Sequence, residues 1–230
     1  MKPRLYMIIP CYNEEKVLPI TAPLFKQEIM KLINRNIISV KSKIMFVNDG
    51  SKDGSADIAR AYEKKYPQTV VFVDKENGGH GSTINVGIEK AQGTYFKVLD
   101  SDDWVNIGDF IEFVKRLKEE TADAVICDYR KEHVYNGKSE YFEYKDLEDG
   151  KKYNLNEIDL NILHGEYFMM ATTTYRTEVL RASGLKMLEK TFYVDMQYNI
   201  VPITKVDTFA YYHLDIYRYF IGRKDQSMNM

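Results

Sequence analysis

Tyr95-Phe96-Lys97-Val98-Leu99-Asp100-Ser101-Asp102-Asp103-Trp104 is the stretch on which the fold turns: an apolar, β-prone run that ends in three carboxylates within four residues. Like charges so close repel one another, and a fold that keeps them together ordinarily supplies a cation. Side chains alternate along a strand, so Asp100 and Asp102 are expected on one side of its tip. Two such carboxylates suit a hard divalent ion that keeps some waters and also binds phosphate oxygens. A solvated loop, with an Asp capping the next helix, is the plainer alternative.

The chain before this stretch repeats one pattern. A continuous apolar run over 5–10 reads as a strand buried on both faces. The loop Cys11-Tyr12-Asn13-Glu14-Glu15 follows, then a helix over 18–33 with Pro19 and Pro23 in its early turns. A second strand over 43–48 leads into Asp49-Gly50-Ser51-Lys52-Asp53-Gly54-Ser55, and a helix runs on to 66, closed by Pro67. A third strand, 69–73, precedes Asn77-Gly78-Gly79-His80-Gly81 and a helix ending at Ala91, with Gly93 as its stop. Four strands alternating with three helices predict an α/β fold with a doubly wound, mostly parallel sheet and helices on both faces. Ligands of such sheets sit outside the carboxyl ends of the strands. Here those ends carry Tyr12-Asn13-Glu14, Asn48-Asp49, Asp74 with Asn77, and Asp100 with Asp102, which are expected to converge on one crevice.

Beyond it, a helix over 108–120 and a strand from 124 toward 135 are expected. Asn136-Gly137 reads as a two-residue hairpin turn of the primed type, with the chain returning over 139–144. Further helices are read at 155–163, 178–182 and 195–201, and antiparallel strands at 209–214 and 216–220, a small antiparallel C-terminal part. The chain reads as one domain, with a nucleotide-type half to about residue 122 and a tyrosine-rich half from 123 to 230.

Composition narrows the classes. A net charge of −2 over 230 residues, with no block of Lys or Arg, offers no surface for nucleic acid. Cys11 and Cys127 lie in strand-like runs and read as buried thiols of a reducing compartment. No leader is recognised in Met1-Lys2-Pro3-Arg4, and no apolar segment approaches the length of a membrane span. A cytoplasmic protein with peripheral membrane contact is expected.

Several motifs have competing readings. Asp49-Gly-Ser-Lys-Asp53-Gly-Ser begins like a calcium loop, but Arg60 stands where the bidentate Glu is needed. It remains either a capped strand-to-helix turn or a carboxylate placed to accept from a uracil imide. Gly79-x-Gly81 has Ile84 where a dinucleotide fingerprint needs its third glycine, and no Gly-Lys-Ser/Thr follows for a Walker loop. Its glycines serve either a flexible turn or the close approach of a nucleotide. An Asp-x-Asp phosphohydrolase would carry its pair on the first strand, and a nucleotidyltransferase would have a basic Gly-rich loop where Tyr12-Asn13-Glu14-Glu15 stands. Of 18 tyrosines, 13 lie from Tyr129 onward, as core residues or as a sugar-stacking acceptor platform.

Ile8-Ile9-Pro10-Cys11-Tyr12-Asn13-Glu14-Glu15, Val47-Asn48-Asp49-Gly50-Ser51-x-Asp53-Gly54-Ser55, Asn77-Gly78-Gly79 with Asn85-x-Gly87-Ile88, and Leu99-Asp100-Ser101-Asp102-Asp103 together resemble family 2 glycosyltransferases of the GT-A fold. The likeness continues more loosely through Tyr175-Arg176-x-Glu178, Tyr193-Val194-Asp195 and Gly222-Arg223-x-x-Gln226-Ser227. What the resemblance implies is inverting transfer from a nucleotide-sugar, a UDP-sugar, to a glycan or lipid-linked acceptor. Pro10 and Tyr12 would line base and ribose, with Glu14 beside them, Asp49 would pair with the base, and Asn77 would lie alongside. Asp100 would hold the ribose or the metal's waters, Asp102 would bind Mg²⁺ or Mn²⁺, and Asp195 would be the catalytic base. Arg218, Arg223 and Ser227 would touch diphosphate or acceptor. Two positions depart from the family: Ile84 where an Arg often stands, and Val194 where Glu usually precedes the base. The chain stops at Met230, where many relatives continue, and reads as a short or truncated member.

Overall fold

The computed structural model describes residues 2–100, 103–133, 135–191 and 193–222. The chain forms two compact units, Met1–Gly93 joined by Lys186–Thr191, and Thr94–Leu185 joined by Phe192–Met230.

The first unit is a three-stranded parallel sheet in the order β1-β2-β3, made of β1 (Tyr6–Cys11), β2 (Lys43–Asp49) and β3 (Val70–Lys75). Its helices are α1 (Leu18–Asn34), α2 (Ser55–Lys65) and α3 (His80–Lys90). The central strand β2 is apolar on both faces, with Ile44, Met45, Phe46 and Val47 all buried, as a strand flanked by helices must be. Proline at position 10 is tolerated because β1 is an edge of this sheet, where a missing N–H breaks no ladder. α1 and α2 pack together and onto β2, while α3 packs on β1 and β2. The register sets Cys11 opposite Asn48, and Asn48 opposite Asp74, so the three strand ends form one edge.

The second unit is a mixed sheet. β4 (Tyr95–Lys97) pairs with β9 (Thr173–Arg176), which pairs with β6 (Ala124–His133), then β10 (Thr208–Ile221), then β5 (Trp104–Val105). β7 (Lys138–Phe142) joins β6 and β8 (Lys152–Asn154) joins β10. Among the described strand pairs of this unit, β6 with β10 alone is parallel; their first halves, from Ala124 to Cys127 and from Phe209 to Tyr212, are buried. The remaining helices are α4 (Ile107–Leu117), capped by the Asn106 side chain accepting from the Gly108 N–H, α5 (Thr177–Ala182) and α6 (Val194–Ile203).

The α/β class holds, with differences in the details. β4 is three residues long and is hydrogen-bonded antiparallel to β9, and it stops at Lys97. Asp100 therefore lies past the strand, so strand alternation does not set its direction. The Asn136-Gly137 hairpin is not a two-residue primed turn: β6 ends at His133, β7 begins at Lys138, and Gly137 takes the positive φ, 67°, while Asn136 does not. The two C-terminal strand pieces are one strand, β10, which bends through register shifts around Asp215. Asp215 alone separates them, too short a gap for the chain to reverse, so the ladder is interrupted without reversing. The helix expected over 155–163 shrinks to a single 3₁₀ turn, Leu160–Leu163.

Of the tyrosines from Tyr129 onward, eight are buried (Tyr129, Tyr144, Tyr153, Tyr175, Tyr198, Tyr211, Tyr212 and Tyr217), so the core reading accounts for most of them. Several hydroxyls find partners, as buried phenols require: Tyr144 donates to the Tyr167 carbonyl, Tyr212 to Glu120 and Tyr175 to the Asn199 carbonyl.

Candidate functional site

At the carboxyl edge of the first unit, two loops clasp each other by reciprocal bonds. The Ser51 hydroxyl accepts from the Asn13 N–H, and Asn13 Oδ1 accepts from the Lys52 N–H. Asp53 accepts from the Glu15 N–H, and Glu15 accepts from the Gly54 N–H. Ser55 Oγ accepts from the Glu14 N–H at 2.7 Å. Asn13, at φ 56°, turns the chain sharply enough to bring these groups together. Burial pushes the Asp53 carboxyl up, but hydrogen bonds from the Ser55 hydroxyl, Ser55 N–H and Glu15 N–H together outweigh that and hold it below its ordinary value. The two sequence motifs thus form one structural piece.

Asp49 is the centre of the next layer. It is buried, with Oδ1 accepting from Lys75 Nζ at 2.5 Å, the Gly78 N–H at 2.9 Å and the Ser82 hydroxyl at 3.2 Å. Oδ2 accepts from the Gly79 N–H at 2.9 Å. These amides lead into α3, so Asp49 occupies the place an anion takes at a helix start. A carboxylate offers about four lone-pair positions, so Oδ2 keeps capacity for a further donor. Gly50, at φ 68°, has the Asn77 backbone nitrogen 2.6 Å from where a Cβ would stand, which seats Asn77 beside Asp49.

The glycines after Asn77 serve the chain itself. A Cβ on Gly81 would overlap the Leu188 carbonyl oxygen, and one on Gly78 would stand 2.7 Å from Ser82 Cβ. Residues 186–191 are held there by the Asn85 side chain, which donates to the Met187 carbonyl and accepts from the Met187 N–H, and by the Lys190 N–H on the Gly78 carbonyl. Gly78 and Gly81 thus make room for Ser82 and for residues 186–191. Sequence reading missed the partner because it lies about a hundred residues away and carries no motif. Pro10, Tyr12, Asp49 and Asn77 are thus gathered at one edge, with Tyr12 half exposed at 50% and Asn77 exposed.

In the second unit, Asp100 is partly buried just past β4, and the Asp103 N–H donates to its carbonyl at 3.1 Å. Asp103 is buried, accepting from the Tyr217 hydroxyl at 2.5 Å and the Phe220 N–H at 2.8 Å. One of the three clustered charges is therefore answered by the protein. Asp102, the expected metal ligand, lies outside the described residues, as do Arg223 and Ser227. Among the described residues no group of three or more His, Cys, Asp or Glu side chains is arranged to hold a metal. Asp195 is exposed in the first turn of α6, following Tyr193 in a left-handed conformation at φ 60°, and Val194 beside it is buried. Arg218 is engaged by Asp215 and Glu132.

Lys97 sends its ammonium to the Ala171 carbonyl and lies 5.4 Å from the Tyr217 ring centre. Burial of the ammonium lowers its pKa from 10.5 to about 8. Below pH 8 both folded and unfolded chains carry the proton, and the fold bears a penalty of up to about 3 kcal/mol. Between pH 8 and 10.5 the folded chain sheds it first, so this group raises stability as pH rises. Lys97→Met is expected to abolish that rise, as measured by urea unfolding at pH 7 and pH 9.5; a variant that keeps the rise would refute the assignment. Cys11 and Cys127 are both free and buried, and burial pushes the Cys11 thiol up to about 12.

A further cluster escaped the sequence. Asp128, wholly buried, accepts from the hydroxyls of Tyr141 and Tyr211, and His213 Nδ1 lies 3.1 Å from it. Burial raises its carboxyl. Its members come from β6, β10 and the strand paired with β6, a juxtaposition only the pairing reveals.

The fold is that of glycosyltransferases of the GT-A class. The model of Glycosyl transferase family 2 matches residues 6–180, and the chain belongs to that family. Over 137 residues it is 34% identical to the putative glycosyltransferase EpsH of Bacillus subtilis (strain 168), covering 60% of this chain and 37% of that one. It is 31% identical over 124 residues to the poly(ribitol-phosphate) beta-glucosyltransferase of Bacillus spizizenii, covering 54% of this chain and 18% of the relative. The chain thus spans well under half the length of these curated relatives. The S. aureus TarS 1-349 structure in complex with UDP-GlcNAc aligns with a TM-score of 0.68 at 18% identity, covering 96% of this chain and 59% of that one. The mannosyltransferase PcManGT of Pyrobaculum calidifontis, in complex with GDP-Man and Mn²⁺, aligns with a TM-score of 0.59 at 17% identity, covering 99% of this chain and 59% of that one. No described helix is long and apolar enough to cross a membrane.

Proposed function

We propose that this protein transfers a sugar from a UDP-sugar to an acceptor hydroxyl, with inversion at the anomeric carbon, in the synthesis of a polysaccharide or cell-surface glycan. The observation that carries the reading is the carboxyl edge of the first unit, where Pro10, Tyr12, Asp49 and Asn77 stand together. Edges of this kind are where open α/β sheets take their ligands. The complex of TarS with UDP-GlcNAc supports the choice of nucleotide.

Pro10 and the face of Tyr12 would hold base and ribose, and the remaining lone pair of Asp49 would accept from the base, with Asn77 beside it. Asp100 and Asp102 would hold Mg²⁺ or Mn²⁺, which when bound offsets charge on the departing diphosphate. Asp195 would accept the proton of the attacking acceptor hydroxyl. Exposure suits that task, because its carboxylate can meet an acceptor without rearrangement of the helix. A glycan or lipid-linked alcohol is the acceptor class.

A second reading is a nucleotide-sugar binder without transfer. It is favoured by the burial of Ile84 and Val194, apolar side chains where the family resemblance implies charged ones. A thermal-shift screen of UDP-sugars with and without Mn²⁺, followed by assay of released UDP, tests both readings. Binding with UDP release supports the transferase, and binding alone supports the second reading. No shift with any UDP-sugar refutes both.

A further inference from the structure

The third carboxylate of the acidic stretch has a partner that nothing in the transferase reading requires. Tyr217 is fully buried in β10, and its hydroxyl donates to Asp103 Oδ2 at 2.5 Å while receiving the Asp100 N–H at 3.4 Å. Asp103 Oδ1 receives the Phe220 N–H at 2.8 Å from the same strand. The adjoining chain is held too: β5 pairs antiparallel with β10, setting Val105 opposite Tyr217 and Trp104 opposite Arg218. The Asn106 N–H donates to the Ile216 carbonyl. One phenol therefore touches both described ends of the segment from Asp100 to Asp103.

We propose that Tyr217 and Asp103 are positioning residues for the acidic stretch, fixing against β10 the backbone at Asp100 and Asp103 that brackets it. The inference rests on the transferase reading for its purpose, though not for its geometry. Asp103 is then a latch and not a metal ligand. Both its oxygens are engaged, and a buried carboxylate satisfied by a phenol and an amide has no need of a cation. Without the Tyr217 bond the repulsion among the three carboxylates would act on a segment held only by the Phe220 amide and the pairing of β5. A binding group misplaced by about 1 Å can lose on the order of a hundredfold in rate.

Two measurements on the full chain decide it: amide hydrogen exchange, and Mn²⁺ titration of UDP-GlcNAc binding by calorimetry, both at a temperature where circular dichroism shows each variant folded. Tyr217→Phe is expected to speed exchange across residues 98–104 and to raise the half-saturating Mn²⁺ concentration by about tenfold. Asp103→Asn is expected to shift the same two readouts in the same direction, and the double variant to be no worse than the more affected single one. A general loss of stability would not move the metal midpoint in folded protein. Additive effects on that midpoint would make Asp103 a separate ligand and overturn the latch. Unchanged exchange over 98–104 in Tyr217→Phe would also overturn it. If the wild-type chain binds no UDP-GlcNAc, the transferase reading is judged by the screen of other UDP-sugars, and the exchange data alone decide for or against the latch.

Discussion

Asp195→Ala is expected to lower sugar-transfer turnover by about 10²–10⁴-fold, the range typical of a lost general base, while donor binding survives. Asp195 sits exposed in the first turn of α6, so its removal takes away no buried partner and no packing. A carboxylate at a helix start is worth only about 0.3–1 kcal/mol to the fold, and the variant should remain folded. Steady-state release of UDP, measured beside calorimetry of the donor, separates the effects. Loss of turnover with unchanged donor affinity is the expected pattern. Full turnover would remove Asp195 from the mechanism, and a parallel loss of donor affinity would make it a binding residue.

Asp49→Ala is expected to cost about 3–5 kcal/mol of stability, the range seen when one member of a buried ion pair is removed. The loss would leave the amides of Gly78 and Gly79 without this acceptor and take one partner each from the Lys75 ammonium and the Ser82 hydroxyl. Lys75 retains bonds to the Glu76 carbonyl and Ser82, which places the effect toward the lower end. Denaturant unfolding measures it. A loss below about 1 kcal/mol would mean that the network contributes little, and that Asp49 is kept for the ligand alone.

The contrast between these two aspartates shows what the sequence could reveal. The strand-helix alternation of the first 93 residues was readable because each strand is a short apolar run closed by glycine or a polar tip. The chemistry at those tips was readable only as types of side chain. Asp49 as the end of a strand is plain from Val47-Asn48-Asp49-Gly50, but its four partners come from β3, the turn after it and α3. Gly81 looked like room for a ligand; the room is taken by Leu188, a residue whose neighbourhood has no periodicity to mark it. Strand alternation failed for Asp100 because three residues of pairing with β9 are all that β4 makes before the chain turns. In the second unit the pairing of β6 with β10 joins residues some eighty apart, and the same pairing collects Asp128, Tyr211 and His213. Cross-strand contacts over such distances leave no local signature in the chain.

Cocrystals with UDP and Mn²⁺ test the central claim most directly, since it concerns where a nucleotide lies. The account predicts a uracil ring against Tyr12, its imide directed to Asp49 and its edge near Asn77. Density for the nucleotide elsewhere, or an empty carboxyl edge at saturating UDP and Mn²⁺, would contradict it.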